Sequence, residues 1–197
     1  TTEPPMEQRV EFNTELIKRY DVAGPRYTSY PTAVQFNDGF DAEAYRRHTA
    51  ASNSELIPKP LSLYVHLPFC KSLCYYCGCM KKVTRHTHQA DHYLTLLDRE
   101  IEMQGELFDH DREVVQLHFG GGTPTFHDDA QLKSLMEQLG RHFALSRDDT
   151  REFSIEVDPR TVGVERLAAL AGMGFNRISL GVQDIDPAVQ KAVNRIQ

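Results

Sequence analysis

Four cysteines crowd ten residues, Cys70-Lys-Ser-Leu-Cys74-Tyr-Tyr-Cys77-Gly-Cys79, directly after an apolar segment, and the chain has no others. Thiols this close on one loop cannot all reach good Cα spacing for disulfides without strain. They suit a metal centre, where several thiolates converge. The C-x3-C-x2-C spacing matches neither the C-x2-C pairs of a zinc ribbon nor the cysteine run of a bacterial ferredoxin. If three thiolates hold a four-iron cluster, one iron is left open to bind a substrate or cofactor, which turns an electron carrier into a catalyst. Structural zinc, with His66 as a substitute ligand, is the competing reading.

Other chemistry-bearing residues fall just after apolar segments. The run Gly120-Gly121-Gly122-Thr123-Pro124-Thr125 lacks the Lys-Ser/Thr of a phosphate loop and the spacing of a dinucleotide fingerprint. Its plain reading is a tight turn; its functional one is backbone that approaches a ligand closely because no Cβ intervenes. Glu156, in Ser-Ile-Glu-Val-Asp-Pro, has Ile155 and Val157 on the opposite face. An inward carboxylate is costly unless paired or used, so a salt bridge and a ligand contact compete there. Gln183 satisfies loop backbone or meets a ligand. Arg195 is a solvated charge on a last helix or a binding residue. Lys81, Lys82 and Arg85 follow the cysteines and read first as exposed charges.

These residues need a scaffold, and the hydrophobic pattern supplies one. Leu61–Leu67 reads as a strand with Ser62, Tyr64 and His66 on one face and leucine and valine on the other. Tyr64 and His66, facing inward, are the candidate catalytic side chains; a hydrogen-bonded core histidine is the plain alternative for His66. Ala90, Leu94, Leu97 and Ile101 share a helical face within about 86–108, and 114–119 reads as a strand. Leu132, Leu135, Met136, Leu139 and Phe143 form an amphipathic helix, followed by a strand at 153–157. A helix with Leu167, Leu170 and Ala171 closes at Gly172 and Gly174 before a strand at Arg177–Leu180. Asp186-Pro187 starts a last helix, which Val189, Val193 and Ile196 are expected to continue to the chain end.

Strand alternating with helix four times means parallel strands and right-handed crossovers, as a doubly wound sheet or a barrel. The N-terminal part of an α/β barrel is expected over 60–197. Residues 1–59 are expected to form an irregular arm with a short helix near 42–50. Four chemistry-bearing segments then meet at the carboxyl ends of the strands, where such folds bind ligands.

The 197 residues suffice for one domain or most of a larger one, with 40% hydrophobic and 25% charged residues. A net charge of −6 without a basic block disfavours a nucleic-acid binder. No segment has the layout of a signal peptide or the length of a membrane span. Free cysteines without a secretion signal point to the cytoplasm.

Taken together, the chain resembles the radical S-adenosylmethionine enzymes, and among them the oxygen-independent coproporphyrinogen III oxidase family. The resemblance runs from about residue 20 to the end. It rests on the arm GPRYTSYPTA from Gly24 to Ala33, on YVHLPFC leading into CYYCGC, and on GGGTPT, IEVDPR, GVQD and VNRIQ. It implies a [4Fe-4S] cluster on Cys70, Cys74 and Cys77, with Cys79 near but not a ligand, and S-adenosylmethionine on the open iron. Tyr64, Gly121 and Glu156 match contacts to a first cofactor molecule. Tyr76, Gly122, Thr123, Gln183 and Arg195 match contacts to a second, or to a site shared with substrate. Tyr76 replaces a common phenylalanine, and Ile196 stands where a polar residue is frequent.

The activity implied is decarboxylation of two propionates of coproporphyrinogen III to vinyl groups, giving protoporphyrinogen IX. A 5′-deoxyadenosyl radical takes one hydrogen from each propionate side chain, and CO2 and an electron then leave. Arg26, Lys81 and Arg85 are candidate partners for the propionates. A low-potential electron donor and a monomeric protein are expected. Members of the family are longer, with later strands and a C-terminal domain, so these residues alone are expected to be poorly stable or inactive. A haem-chaperone relative is the alternative within the superfamily, and a zinc- or haem-binding module or a simple electron carrier the alternative outside it.

Overall fold

The computed structural model describes residues 12–22 and 33–197. The arm motif at 24–33, with Arg26, lies almost wholly outside the described residues. The chain divides into two compact units between Asp41 and Ala42. In the first, helix α1 (Thr14–Tyr20) starts where the Asn13 side chain accepts from the Leu16 amide. A 3-10 turn follows at Ala33–Gln35.

The second unit opens with helix α2 (Ala42–Asn53), longer than the 42–50 expected, because its last turn is tied to the sheet's unit. The buried Arg112 guanidinium donates to Ser52 Oγ, Asn53 Oδ1 and the Lys59 carbonyl at 2.7–3.1 Å. Tyr45 Oη donates to Gln104 Oε1 at 2.6 Å. The helix is thus tied to the residues after it.

Strands β1 (Leu61–Leu67), β2 (Phe69–Cys70), β3 (Lys82–Val83), β4 (Glu113–Gly121), β5 (Ala144–Leu145), β6 (Glu152–Val157) and β7 (Arg177–Leu180) alternate with helices α3 (His88–Gly105), α4 (Asp129–His142) and α5 (Val164–Gly172). The main sheet is parallel, in the order β1-β4-β6-β7, with β5 paired to β4. Strand order follows chain order, so every crossover steps the same way. That is the winding of a barrel wall; a doubly wound sheet reverses.

One face of the sheet is core. Val65, Leu67, Leu117, Phe119, Ile155 and Val157 pack with Leu97 and Ile101 of α3, Leu132, Leu135 and Leu139 of α4, and Leu170 of α5. Helix α4 carries the strongest start signal: Asp128 accepts from the Gln131 amide while the Gln131 side chain accepts from the Asp128 amide. The opposite face is polar. Tyr64, His118, Ser154 and Arg177 lie in one row across neighbouring strands.

The last helix, α6 (Pro187–Ala192), is shorter than expected. It starts as predicted, with Asp186 accepting from the Ala188 and Val189 amides. It does not continue through Val193 to Ile196. Asn194 takes a left-handed backbone (φ 56°), and the Asn194 and Arg195 amides donate to the Lys191 and Gln190 carbonyls. This Schellman closure uses asparagine where glycine is usual. Arg195 consequently leaves the helix and turns inward.

Behind the glycine run, a 3-10 turn at Pro124–Phe126 leads to His127, which is fully buried. Its ring stands edge-on to Phe69 and Phe126, and neither ring nitrogen has a hydrogen-bond partner among the described residues. Burial pushes its pKa down to about 4, against the opposing pull of Asp128 and Asp91. A depressed folded value means that the unfolded chain binds the proton more readily. Stability is therefore full above about pH 6.5 and is lost as pH falls towards 4. The loss expected from this one group is on the order of 3 kcal/mol. Urea denaturation at several pH values checks it: His127→Leu should flatten the slope between pH 6.5 and 4, and an unchanged slope would refute the assignment.

Candidate iron–sulfur and cofactor site

The cysteine loop is closed at its neck. β2 and β3 pair in parallel, with Lys82 N donating to Pro68 O (2.7 Å) and Thr84 N to Cys70 O (2.9 Å). Each ligand candidate then meets a holder of its own. Thr123 Oγ1 lies 3.6 Å from Cys70 Sγ. Lys81 Nζ donates to the Cys77 and Cys79 carbonyls at 2.8 and 3.3 Å. Arg195 Nη1 reaches Cys74 Sγ at 3.5 Å.

Lys81, a candidate for substrate propionates, is thus engaged within the loop, while Arg85 is exposed and outside the cavity wall. The charges leave their mark on the thiols. Burial pushes the Cys70 thiol up, with Thr123 opposing. Burial also acts to raise Cys77, but hydrogen bonding with Cys79 and the nearby Lys81 ammonium outweigh it and hold that thiol low.

All four cysteines line one cavity of about 470 Å3 at the carboxyl end of the sheet. Tyr76, Gly121, Gly122, Thr123, Glu156, Gln183 and Arg195 share that wall. Tyr64 and His66 do not; they stand behind the glycines. His66 Nε2 lies 3.0 Å from the Met80 carbonyl and Nδ1 3.1 Å from Tyr64 Oη. A carbonyl only accepts, so Nε2 carries the proton and, in the neutral ring, Nδ1 accepts from the phenol. Burial, followed by Glu156 and Cys79, pushes the Tyr64 phenol up.

The three glycines serve different ends. A Cβ on Gly122 would sit 2.7 Å from the backbone of Pro68 and Phe69. Gly121 has a left-handed φ of 112°, and a Cβ there would strike the His66 ring at 2.6 Å. The close approach is therefore first to the protein's own loop neck. Two of the amides are also used internally, Gly121 N donating to Glu156 Oε2 at 3.2 Å and Gly122 N to Leu67 O at 2.9 Å.

Glu156 combines both of its sequence readings. Its Oε1 lies 3.4 Å from His118 Nε2, yet the side chain is 44% exposed towards the cavity. His118 was not singled out in the sequence, although the alternation Gln116, His118, Gly120 against Leu117 and Phe119 marks it as facing the site. Gln183 is a non-glycine residue at φ 73°, with Asp184 N bonded to Val182 O across it. Such strain concentrates at ligand sites.

Asp158 and Arg160 were likewise missed as partners. Arg160 grips the buried Asp158 carboxylate at 2.6–3.1 Å, and Arg195 approaches it at 3.4 Å. Burial alone would raise the Asp158 carboxyl; its bonds to Arg160 and the Arg195 charge hold it below the usual range. Arg195 is only 11% exposed and also donates to Gly181 O at 2.7 Å, and its Nε has no partner among the described residues.

This donor set fits an iron–sulfur cluster. Several thiols on one wall share the cavity with the guanidiniums of Arg160 and Arg195 and the ammoniums of Lys71 and Lys81, which offset thiolate charge. Among the described residues, no three His, Cys, Asp or Glu side chains converge on a single point as ligands of one ion do. A cluster takes one thiolate per iron and does not require that.

Comparison with known proteins places this architecture in two steps. Residues 64–197 match the family model of the Radical SAM superfamily, which implies a [4Fe-4S] cluster and S-adenosylmethionine. The chain is 49% identical over 188 residues to the oxygen-independent coproporphyrinogen III oxidase of Pseudomonas aeruginosa, covering 95% of this chain and 40% of the relative. It is 50% identical over 148 residues to the protein of that name from Mannheimia haemolytica, covering 75% of this chain and 97% of the relative. The solved coproporphyrinogen III oxidase of Escherichia coli, a radical SAM enzyme, superposes with a TM-score of 0.78 at 46% identity, over 96% of this chain and 41% of that one. The chain belongs to the radical SAM superfamily and, within it, to the oxygen-independent coproporphyrinogen III oxidase family. It spans about 40% of the length of the Pseudomonas relative.

The glycine geometry gives a direct test. Gly122→Ala forces a methyl onto backbone that no rotamer can move, so it should cost about 1–3 kcal/mol. It should also open the loop neck. Thermal denaturation and iron content after reconstitution check this; unchanged values for both would show that the neck tolerates a side chain there.

Proposed function

We propose that this chain serves the oxygen-independent oxidative decarboxylation of coproporphyrinogen III, converting two propionates to vinyl groups and giving protoporphyrinogen IX in haem biosynthesis. The observation that carries the proposal is the convergence, in one cavity, of the C-x3-C-x2-C loop with Glu156, Gln183 and Arg195. The named relatives supply the substrate class. No observation favours the haem-chaperone alternative.

Cys70, Cys74 and Cys77 would hold the cluster, leaving one iron free. With cluster and S-adenosylmethionine bound, the site gains a one-electron reductant and a source of a carbon radical able to take hydrogen from a propionate side chain. The protein's residues bind and orient. Gly121 and the exposed edge of Glu156 receive the cofactor next to the cluster wall, Glu156 offering a carboxylate to an ammonium group. Tyr64 belongs to that first cofactor site through its place beside Glu156 and His118. Tyr76, Gly122, Thr123, Gln183 and Arg195 would receive a second cofactor molecule or part of the substrate. His66 fixes the end of the cysteine loop at Met80 and holds the Tyr64 hydroxyl. We place the barrel portion at 60–197, the protein in the cytoplasm as a monomer, and its electrons in the hands of a low-potential donor. No helix among the described residues is long and apolar enough to cross a membrane.

Anaerobic reconstitution with iron and sulfide tests the proposal. The reduced protein should release 5′-deoxyadenosine from S-adenosylmethionine, with CO2 following when coproporphyrinogen III is added. Cys70→Ser, Cys74→Ser and Cys77→Ser should each lower the 5′-deoxyadenosine yield by at least about a hundredfold, beyond what losing a supporting residue does. Cys79→Ser should retain the cluster. Full cofactor cleavage in any of the first three variants would sink the assignment.

A further inference from the structure

Three consecutive residues beyond α6 grip three consecutive residues of the cysteine loop. Val193 O accepts from the Tyr75 amide at 3.0 Å. Asn194 Nδ2 donates to Leu73 O at 2.7 Å. Arg195 Nη1 meets Cys74 Sγ at 3.5 Å. The paired segments are about 120 residues apart in the chain, so this is tertiary structure and not loop-local bonding.

The grip depends on backbone geometry. Asn194 closes α6 with its left-handed φ of 56°, which turns the Val193 carbonyl and the Arg195 side chain towards the loop. Asparagine is one of the few residues besides glycine that enters this region readily, and unlike glycine it brings an amide donor. The far side of the strap is tethered as well. Arg195 Nη2 bonds Gly181 O, Gln197 Nε2 bonds Val182 O at 2.7 Å, and the buried Asp158 faces the Arg195 guanidinium. Cys70 is held by the β2–β3 pairing and Thr123, and Cys77 lies where Lys81 ties the loop's end. Cys74, midway between them, is the ligand candidate that the strap meets.

We propose that Asn194 is a positioning residue: it fastens the middle of the cysteine loop and so sets the place of Cys74 in the cluster site. The inference rests on the reading of Cys74 as a cluster ligand. It assigns Asn194 no contact with cofactor or substrate.

Two variants separate its contributions. Asn194→Gly keeps the left-handed backbone and removes the amide donor. Asn194→Asp keeps the shape but sets a carboxylate against the Leu73 carbonyl. Amide hydrogen exchange on the full chain should show the Tyr75 amide exchanging about fivefold faster in Asn194→Gly, the equivalent of one ordinary hydrogen bond. Asn194→Asp should exchange faster still, with exchange in β4 unchanged in both. The reconstituted protein should lose iron to a chelator faster in the same order.

Unchanged Tyr75 exchange in both variants would overturn the strap. So would faster exchange spread equally through β4, which would mark general destabilisation. A wild-type protein that takes up no iron would overturn the cluster reading, and with it the consequence for iron, while the exchange measurement would still decide the strap.

Discussion

Thiols gathered within ten residues become a concentration of negative charge when they ionise, and the surrounding fold answers that charge. The answer comes from opposite ends of the unit. Lys81 stands at the loop's own exit, bonded to the Cys77 and Cys79 carbonyls. Arg195 comes from the far end of the sequence to reach Cys74. A guanidinium held against sulfur by one weak bond would wander; here Gly181 O and the buried Asp158 fix it, and Arg160 in turn fixes Asp158. The carboxylate offsets the cations, and the cations hold the carboxylate ionised despite its burial.

The sheet delivers these groups to one place. Because strand order equals chain order, each βα connection steps in one direction and the helices share a face. The other face is left to Tyr64, His118, Ser154 and Glu156. The loops at the carboxyl edge meet as a set, with the cysteine loop after β1, the glycines after β4, Asp158 after β6 and Gln183 after β7. Glycine lets two of these loops interlock. Gly122 lies against the Pro68–Phe69 backbone, so the β4 loop and the neck of the cysteine loop form one rigid corner.

Much of this was legible in the residues. Leu61–Leu67 and Arg177–Leu180 are strands with the ends expected, because their alternation is bounded by clear breaks. The inner face of β1 followed from period two. The two-residue strands β2, β3 and β5 carry no period that a sequence can show. The apolar spacing of Val193 and Ile196 carries the expected last helix too far, while the stop signal, a single asparagine, is weaker than a glycine. From its place on that extended helix Arg195 is either a solvated charge or a binding residue, and Asp158 and Arg160 show no partner in the pattern. The glycine run points to close approach of a ligand, and the described structure shows a close approach within the chain. What approaches, the chain's own β1 extension and the His66 ring, is set by tertiary packing that no local pattern encodes.

The polar face also holds its own side chains still. Under the proposed radical chemistry, a free phenol O–H beside the cavity would give up a hydrogen atom in competition with substrate. Tyr64 is not free. Its hydroxyl is directed to His66 Nδ1, and His66 can accept there because its Nε2–H is committed to the Met80 carbonyl at the end of the cysteine loop. The same hydrogen-bond chain that fastens the loop thus turns the phenol proton away from the cavity. Stacking of the Tyr64 ring on His118 at 5.7 Å holds its plane. A histidine with both nitrogens so engaged keeps the neighbouring hydroxyl still. Under the proposed function the chemistry would belong to bound cofactors, and holding neighbouring groups inert is then as much a requirement as binding the cofactors themselves.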